Sequence, residues 1–245
     1  MTKSDWSIDI LIPVFNEGDT ILKTIELIKK NVKSHNKIHI LYDFDEDTSV
    51  KAIQKSDFLN EISFIKNYGT GPCHAIKSGF ENTYADCVIV YPADDFENTK
   101  IIDSMFFEFA EGNEVVVASR FMKGGSMKGC PLLKSILVRL ASFSLFYLSS
   151  IPVKDASNGF RLFSRKCLDK INIESEHGFT YSIELLVKCH RLKWNIAEVP
   201  SNWIERSEGV SNFKISKWIK HYIKWYFYGL STSWLNKKIT SKCIK

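Results

Sequence analysis

Ile8-Asp9-Ile10-Leu11-Ile12-Pro13-Val14-Phe15-Asn16-Glu17 is the stretch that decides the architecture. A short Ile- and Leu-rich run that breaks off into a polar turn reads as a strand buried on both faces, the habit of a mainly parallel sheet covered by helices. The same pattern recurs further along, in apolar runs at 38–42, 62–65, 88–91 and 115–118. Between the first two strands, Ile21, Ile25, Ile28 and Val32 fall at helical spacing, and helices are predicted near 50–58, 75–82 and 101–109. Alternation of this kind implies right-handed crossovers in an open α/β sheet. Ligands of such sheets bind beyond the carboxyl ends of the strands, so the residues just after each strand are the ones to read for function.

Composition sets the outer limits. The chain has 245 residues, 44% hydrophobic and 25% charged, with a net charge of +5. That is ordinary globular usage and excludes disorder and collagen-like repeats. Six cysteines, at 73, 87, 130, 167, 189 and 243, form no CxxC pair. They are expected to be reduced, mostly buried thiols rather than a zinc site or a disulfide framework. Met1-Thr2-Lys3-Ser4-Asp5 is followed by no apolar signal core, so no secretion signal is expected. The charge is uneven: residues 203–245 carry nine Lys/Arg against two Asp/Glu, which leaves the preceding body slightly acidic. A basic tail on an acidic body speaks of partners such as anionic lipid, nucleic acid or a phosphorylated substrate.

The strand ends are polar in a pattern. Strand one runs into Glu17, strand two into Asp43-Phe44-Asp45-Glu46-Asp47, strand four into Pro92-Ala93-Asp94-Asp95, and strand five into Ser119-Arg120. Carboxylates crowding one sheet edge repel unless a cation sits among them, and Mg²⁺ or Mn²⁺ takes carboxylate and phosphate oxygens together. The competing role for any one of these Asp residues is a helix cap or turn former. Asn67-Tyr68-Gly69-Thr70-Gly71-Pro72 opens the helix after strand three, where glycines let backbone approach an anion. It lacks the endings of a dinucleotide fingerprint or a P-loop. A plain turn with Pro72 at the first helical position fits it equally well.

Taken together, these segments resemble a family 2 glycosyltransferase of the dolichyl-phosphate mannosyltransferase type, over roughly residues 8–217. The resemblance rests on Ile-Pro-Val-Phe-Asn-Glu (12–17), Gly69-x-Gly71 with Ala75, Ala93-Asp94, Ser119-Arg120-Phe121 and Lys123-Gly124-Gly125. It continues through Asp155-Ala-Ser-Asn-Gly-Phe-Arg161, Ile183-Glu184-Leu185-Leu186, Ala197-Glu198-Val199-Pro200, and Arg206 followed by Gly209-x-Ser211. It implies a GT-A fold that binds a nucleotide-sugar and transfers the sugar with inversion. It maps Pro13, Val14, Phe15, Glu17, Asp43, Gly71, Ala93 and Asp94 onto the nucleotide. Asp94 takes the second acidic place of the family's Asp-x-Asp metal motif, and Pro92 stands at the first, which leaves a metal either to Asp94 with Asp95 as a substitute ligand or to Asp94 and the diphosphate alone. The Asp-Asp-Gly-Ser usual after strand two is Asp43-Phe44-Asp45-Glu46 here.

Transfer from a nucleoside diphosphate needs charge on the leaving group, an exposed anomeric carbon and a nucleophilic acceptor. Asp155 is the expected catalytic residue, as general base to an alcohol or as an orienting group beside a lipid phosphate. Arg120, Arg161 and Arg206 are expected at the acceptor phosphate, with a structural ion pair as the alternative for each, and Glu184 at the sugar or paired with an arginine. Two stretches, around 132–147 and 215–230, are amphipathic and carry charges. Neither is expected to span a membrane; the second sets aromatics against lysines, as an interfacial helix does. Packing on the sheet is the alternative for both, and Trp225, Phe227, Tyr228 and Trp234 are read as widening an outward apolar face. The resulting expectation has a GT-A domain over 1–205 and a basic, aromatic, amphipathic segment over 206–245. It would be an inverting hexosyltransferase with a divalent metal, peripheral on the cytoplasmic face of a membrane, acting on a lipid-phosphate or glycan acceptor. A catalytically silent nucleotide-sugar binder, a sugar-phosphate nucleotidyltransferase and a nucleic-acid binder are its rivals.

Overall fold

A computed structural model of the chain describes residues 6–204, 215–234 and 244. Strands β1 (Ile8–Pro13), β2 (Asn36–Tyr42), β3 (Ile62–Lys66), β4 (Cys87–Val90), β5 (Val115–Ser119), β7 (Arg161–Ser164) and β8 (Ile196–Pro200) form one sheet in the order β3-β2-β1-β4-β7-β5-β8. A second, two-stranded sheet joins β6 (Ser126–Lys128) to β9 (Asn202–Ile204). The helices are α1 (Thr20–Asn31), α2 (Thr48–Gln54), α3 (Pro72–Glu81), α4 (Ile102–Ala110), α5 (Leu132–Ser149), α6 (Arg165–Lys170), α7 (Thr180–Arg191) and α8 (Ile215–Trp234).

The decisive stretch behaves as its pattern requires. Ile8, Ile10 and Ile12 enter one core layer with α1 and α4, while Leu11 enters the other with α3 and α7. A strand's side chains alternate between faces, and both faces are covered, so apolar residues stand at consecutive positions. The expected parallel α/β sheet is present, with one departure. β7 runs antiparallel between β4 and β5, with Val88 and Val115 both opposite Phe163. Four residues carry too little periodicity to announce a strand. Arg161-Leu-Phe-Ser becomes one because neighbours on both sides supply its hydrogen bonds.

The amphipathic helices divide their work differently from expectation. α8 packs against α5 and α7; at Gly229 a side chain would come within 3.1 Å of Leu145 and Val187. Trp225 is 2% exposed and turned into the core rather than widening an outer face, and Tyr222, Tyr226, Tyr228 and Leu230 pack beside it. Ile223 and Phe227 remain outside. Among the described residues the large exposed apolar surface belongs to α5, through Leu132, Leu133, Ile136, Leu137, Leu140 and Tyr147. By length and composition α5 could cross a membrane, with 17% of it buried, although no such stretch is expected from the sequence. The described cysteines are unpaired, and four of those five are buried.

Candidate active site

Because β2, β1 and β4 are neighbours and parallel, Glu17, Asp43 and Asp94 follow the carboxyl ends of three adjacent strands. Two loops there are locked together. Asp47, fully buried, caps α2 by accepting from Ser49 N at 2.7 Å and reaches across to Asn16 N at 2.9 Å. Asn16 Oδ1 accepts from Thr48 N, while Glu17 N and Gly18 N donate to Ser49 Oγ and Thr48 Oγ1. Of the acidic run after β2, Asp47 is therefore a cap, and it sets the turn that presents Phe15 and Glu17. Phe15 is 58% exposed and meets Phe44 edge-to-face at 5.8 Å. Val14 and Ala93 are buried in the core layer, and Ala93 O accepts from Thr24 Oγ1 at 2.6 Å. Asp47→Ala is expected to cost about 2 kcal/mol, the upper end for a lost cap. Thermal denaturation checks it, and an unchanged melting temperature would refute the latch.

Asp43 shapes the glycine loop. Its Oδ1 accepts from Asn67 Nδ2 at 2.6 Å and its Oδ2 from Gly71 N at 3.0 Å. Gly71, at φ +79°, leads directly into Pro72 and α3, a left-handed turn that glycine adopts without steric cost.

The metal positions separate. Asp95 turns back into its own loop, where Oδ1 accepts from Glu97 N and Asn98 N and Oδ2 from Asn98 Nδ2. Burial raises its pKa, and the hydrogen bonds from Asn98 and Glu97 only partly oppose that. It closes a turn and is not placed as the substitute ligand expected of it. Asp94 is half-buried at the strand end. Among the described residues no three His, Cys, Asp or Glu side chains are grouped to enclose a metal. One carboxylate still fits a Mg²⁺- or Mn²⁺-type site completed by a ligand's phosphates, since such ions are commonly held by one or two carboxylates plus phosphate oxygens.

On the other side of β4 the key contact is Asp155 with Arg120. Asp155 is fully buried. It accepts from Arg120 N at 3.0 Å, Nε at 2.7 Å and Nη2 at 3.0 Å, and also from Ser157 N, Ser157 Oγ and Asn158 N. An ionised carboxylate offers about four lone-pair directions, so these donors leave none for an incoming proton. Burial alone would raise its pKa, but the charge and hydrogen bonds of Arg120 outweigh that and hold it below the usual carboxylate range. Asp155 is thus an anchor for Arg120, and general-base use would require this contact to open.

Arg161 and Glu184 are both buried and bonded within the chain. Arg161, with no exposed surface, donates to the carbonyls of Ser182 and Ala156; burial pushes its pKa down to about 10. Glu184, equally buried, accepts from Glu174 N, Ser175 N and Lys188 Nζ. Both bind groups of the chain itself, within 21 positions of sequence, and it is burial rather than the motif that settles this use. Arg206 lies outside the described residues.

One cation was missed. Arg139, one of the charges on the 132–147 stretch, lies with its guanidinium 4.6 Å from the Phe121 ring centre, and Arg120 lies over the same ring at 5.1 Å. Two arginines thus gather at the end of β5, one of them from the apolar helix. A charge at an otherwise apolar helical position was the available signal.

Comparison with known proteins adds the following. The family model described as "Glycosyl transferase family 2" matches residues 9–171. The dolichol-phosphate mannosyltransferase of Pyrococcus furiosus is 22% identical over 87% of this chain and 62% of its own length. The polyprenol monophosphomannose synthase of Mycolicibacterium smegmatis is 25% identical over 44% and 45%. The chain therefore spans less than two-thirds of these relatives. Glucosyl-3-phosphoglycerate synthase from Mycobacterium tuberculosis, solved with Mn²⁺, UDP and glucosyl-3-phosphoglycerate, superposes with a TM-score of 0.68 at 19% identity, covering 98% of this chain and 83% of that one. At that identity the likeness is one of fold.

Proposed function

Since the chain belongs to glycosyl transferase family 2, we propose that it is an inverting enzyme that moves a hexose from a UDP- or GDP-sugar to a polyprenyl phosphate, at the cytoplasmic face of a membrane. Its fold is GT-A, like that of the synthase above, and it is a glycosyltransferase. The saturated carboxylate of Asp155 carries the choice of acceptor. An alcohol needs a base to take its proton, whereas a phosphate oxygen is already anionic and needs none. What it needs is cationic contact, and Arg120 and Arg139 at the end of β5 are suited to that. Donor binding falls to the rim of Phe15, Glu17, Asp43 and Asp94. A divalent cation held by Asp94 and the diphosphate would supply positive charge to the leaving group.

The exposed face of α5 supports the lipid half of the reading. At 1.5 Å per residue, eighteen residues reach about 27 Å, short of a typical hydrocarbon core of about 30 Å. Arg139 on Phe121 and Lys134 over Trp203 at 5.4 Å hold one side of the helix to the protein. A helix held in that way lies along an interface, where its leucines enter the acyl boundary.

The test incubates the full chain with Mn²⁺ and a panel of UDP- and GDP-sugars, on anionic vesicles with and without polyprenyl phosphate. Release of nucleoside diphosphate should rise at least tenfold with the lipid phosphate, and the sugar should appear in the lipid fraction. Ile136→Glu with Leu140→Glu should weaken vesicle binding about tenfold or more, from the apolar surface withdrawn. Equal release without lipid, or flotation unaffected by the paired substitution, would sink this assignment.

A further inference from the structure

Ser175 and Glu176 stand where three parts of the molecule meet. On the donor side, Ser175 O accepts from Cys73 Sγ and Lys77 Nζ of α3, both at 3.3 Å. Glu176 takes Lys77 Nζ at 2.9 Å and His74 Nε2 at 2.7 Å. Towards α8, Ser175 Oγ accepts from Trp225 Nε1 at 2.9 Å. Towards the acceptor side, Ser175 N donates to Glu184 Oε2 at 2.8 Å, and Phe179 packs beside Gly159 in the loop that carries Asp155.

His74 carries the link into the glycine loop. Its Nδ1 donates to Thr70 O at 3.1 Å, and its ring lies so close to Gly69 that a side chain there would come within 2.7 Å of it. The segment before α7 thus grips the same loop that Asp43 holds through Asn67 and Gly71.

We propose that Glu176 is a positioning residue. Through His74 and Lys77 it ties the segment ahead of α7 to the glycine loop, and so sets the acceptor side in register with the donor. The proposal rests on the transferase reading for its consequence, but not for the contact itself. Stability does not account for the arrangement. The Glu176 side chain is 50% exposed, and exposed pairs contribute about 0–1 kcal/mol. Register is another matter, because a misplacement of about 1 Å can cost 10²-fold in rate.

The experiment uses Glu176→Gln in the full chain. Hydrogen exchange should quicken roughly tenfold at the Gly69 and Gly71 amides, which are bonded to Asn67 Oδ1 and Asp43 Oδ2. The amides of β1 and β4 should be unchanged, with the melting temperature nearly constant. In the donor panel, turnover at saturating nucleotide-sugar should fall at least tenfold, with a smaller change in KM. Unchanged exchange at the glycine loop overturns the clasp, as does acceleration spread evenly through the sheet. A wild-type chain that releases no nucleoside diphosphate defeats the transferase reading instead, and the exchange comparison then still decides the contact.

Discussion

Asp155→Ala is expected to cost about 3–5 kcal/mol of folding free energy, because it strands the Arg120 guanidinium without its buried partner. The side chain of Arg120 is 12% exposed and that of Asp155 not at all, so water replaces little of what is lost. Chemical denaturation measures it, and a loss below about 1 kcal/mol, the range of a surface pair, would refute the assignment of a buried anchor. The same pair predicts a dependence on pH. A carboxyl held below its ordinary range contributes stability above the unfolded value of about 4 and loses it as the pH falls through the folded value. Wild type should therefore weaken steeply on acidification below about pH 4, and Asp155→Asn should flatten that slope. Activity separates the two roles considered for this residue. If Asp155 only orients Arg120, then Arg120→Ala should reduce turnover as far as Asp155→Asn. A base would make the aspartate substitution far worse than the arginine one.

Asp94→Ala is expected to lower nucleoside diphosphate release by roughly 10²–10³-fold, the usual loss when one group stabilising developing charge is removed. Neighbouring carboxylates are poorly placed to replace it. Pro92 has no ligating side chain, and both oxygens of Asp95 are committed to its own turn. Asp95→Asn should consequently act through the loop and lower stability more than metal response. Titrating Mn²⁺ against each variant distinguishes them. Retained turnover and metal dependence in Asp94→Ala would remove Asp94 from the donor site.

The half proposed to hold the donor was the more legible. Ile8–Pro13, the acidic turns and the glycine loop carry their meaning within a few residues of one another, because strand burial and turn chemistry are local. Even so, the acidic residues looked alike in the sequence, and packing sorted them: Asp47 into a cap, Asp95 into a turn, Asp43 into the anchor of the glycine loop. The acceptor half was less legible. Arg161 and Glu184 stood in motifs that pointed to ligand contact, yet Ser182 and Lys188 of α7, with Ala156, Glu174 and Ser175 from the loops before it, engage them inside the core. Arg139 shows the reverse case, a residue with no motif that tertiary contact carries to the site.

What the sequence determined by itself was the layered α/β sheet and the edge at which its strand-end carboxylates gather, since alternating burial and strand-end chemistry are written in consecutive residues. What only the tertiary structure decided was which charges are spent and which face outward. Asp155 meets Arg120 across 35 positions of chain, and α8 turns Trp225 inward while α5 buries Leu145 but leaves its other leucines exposed. Those outcomes depend on which surfaces are already covered, and coverage is a property of the assembled fold.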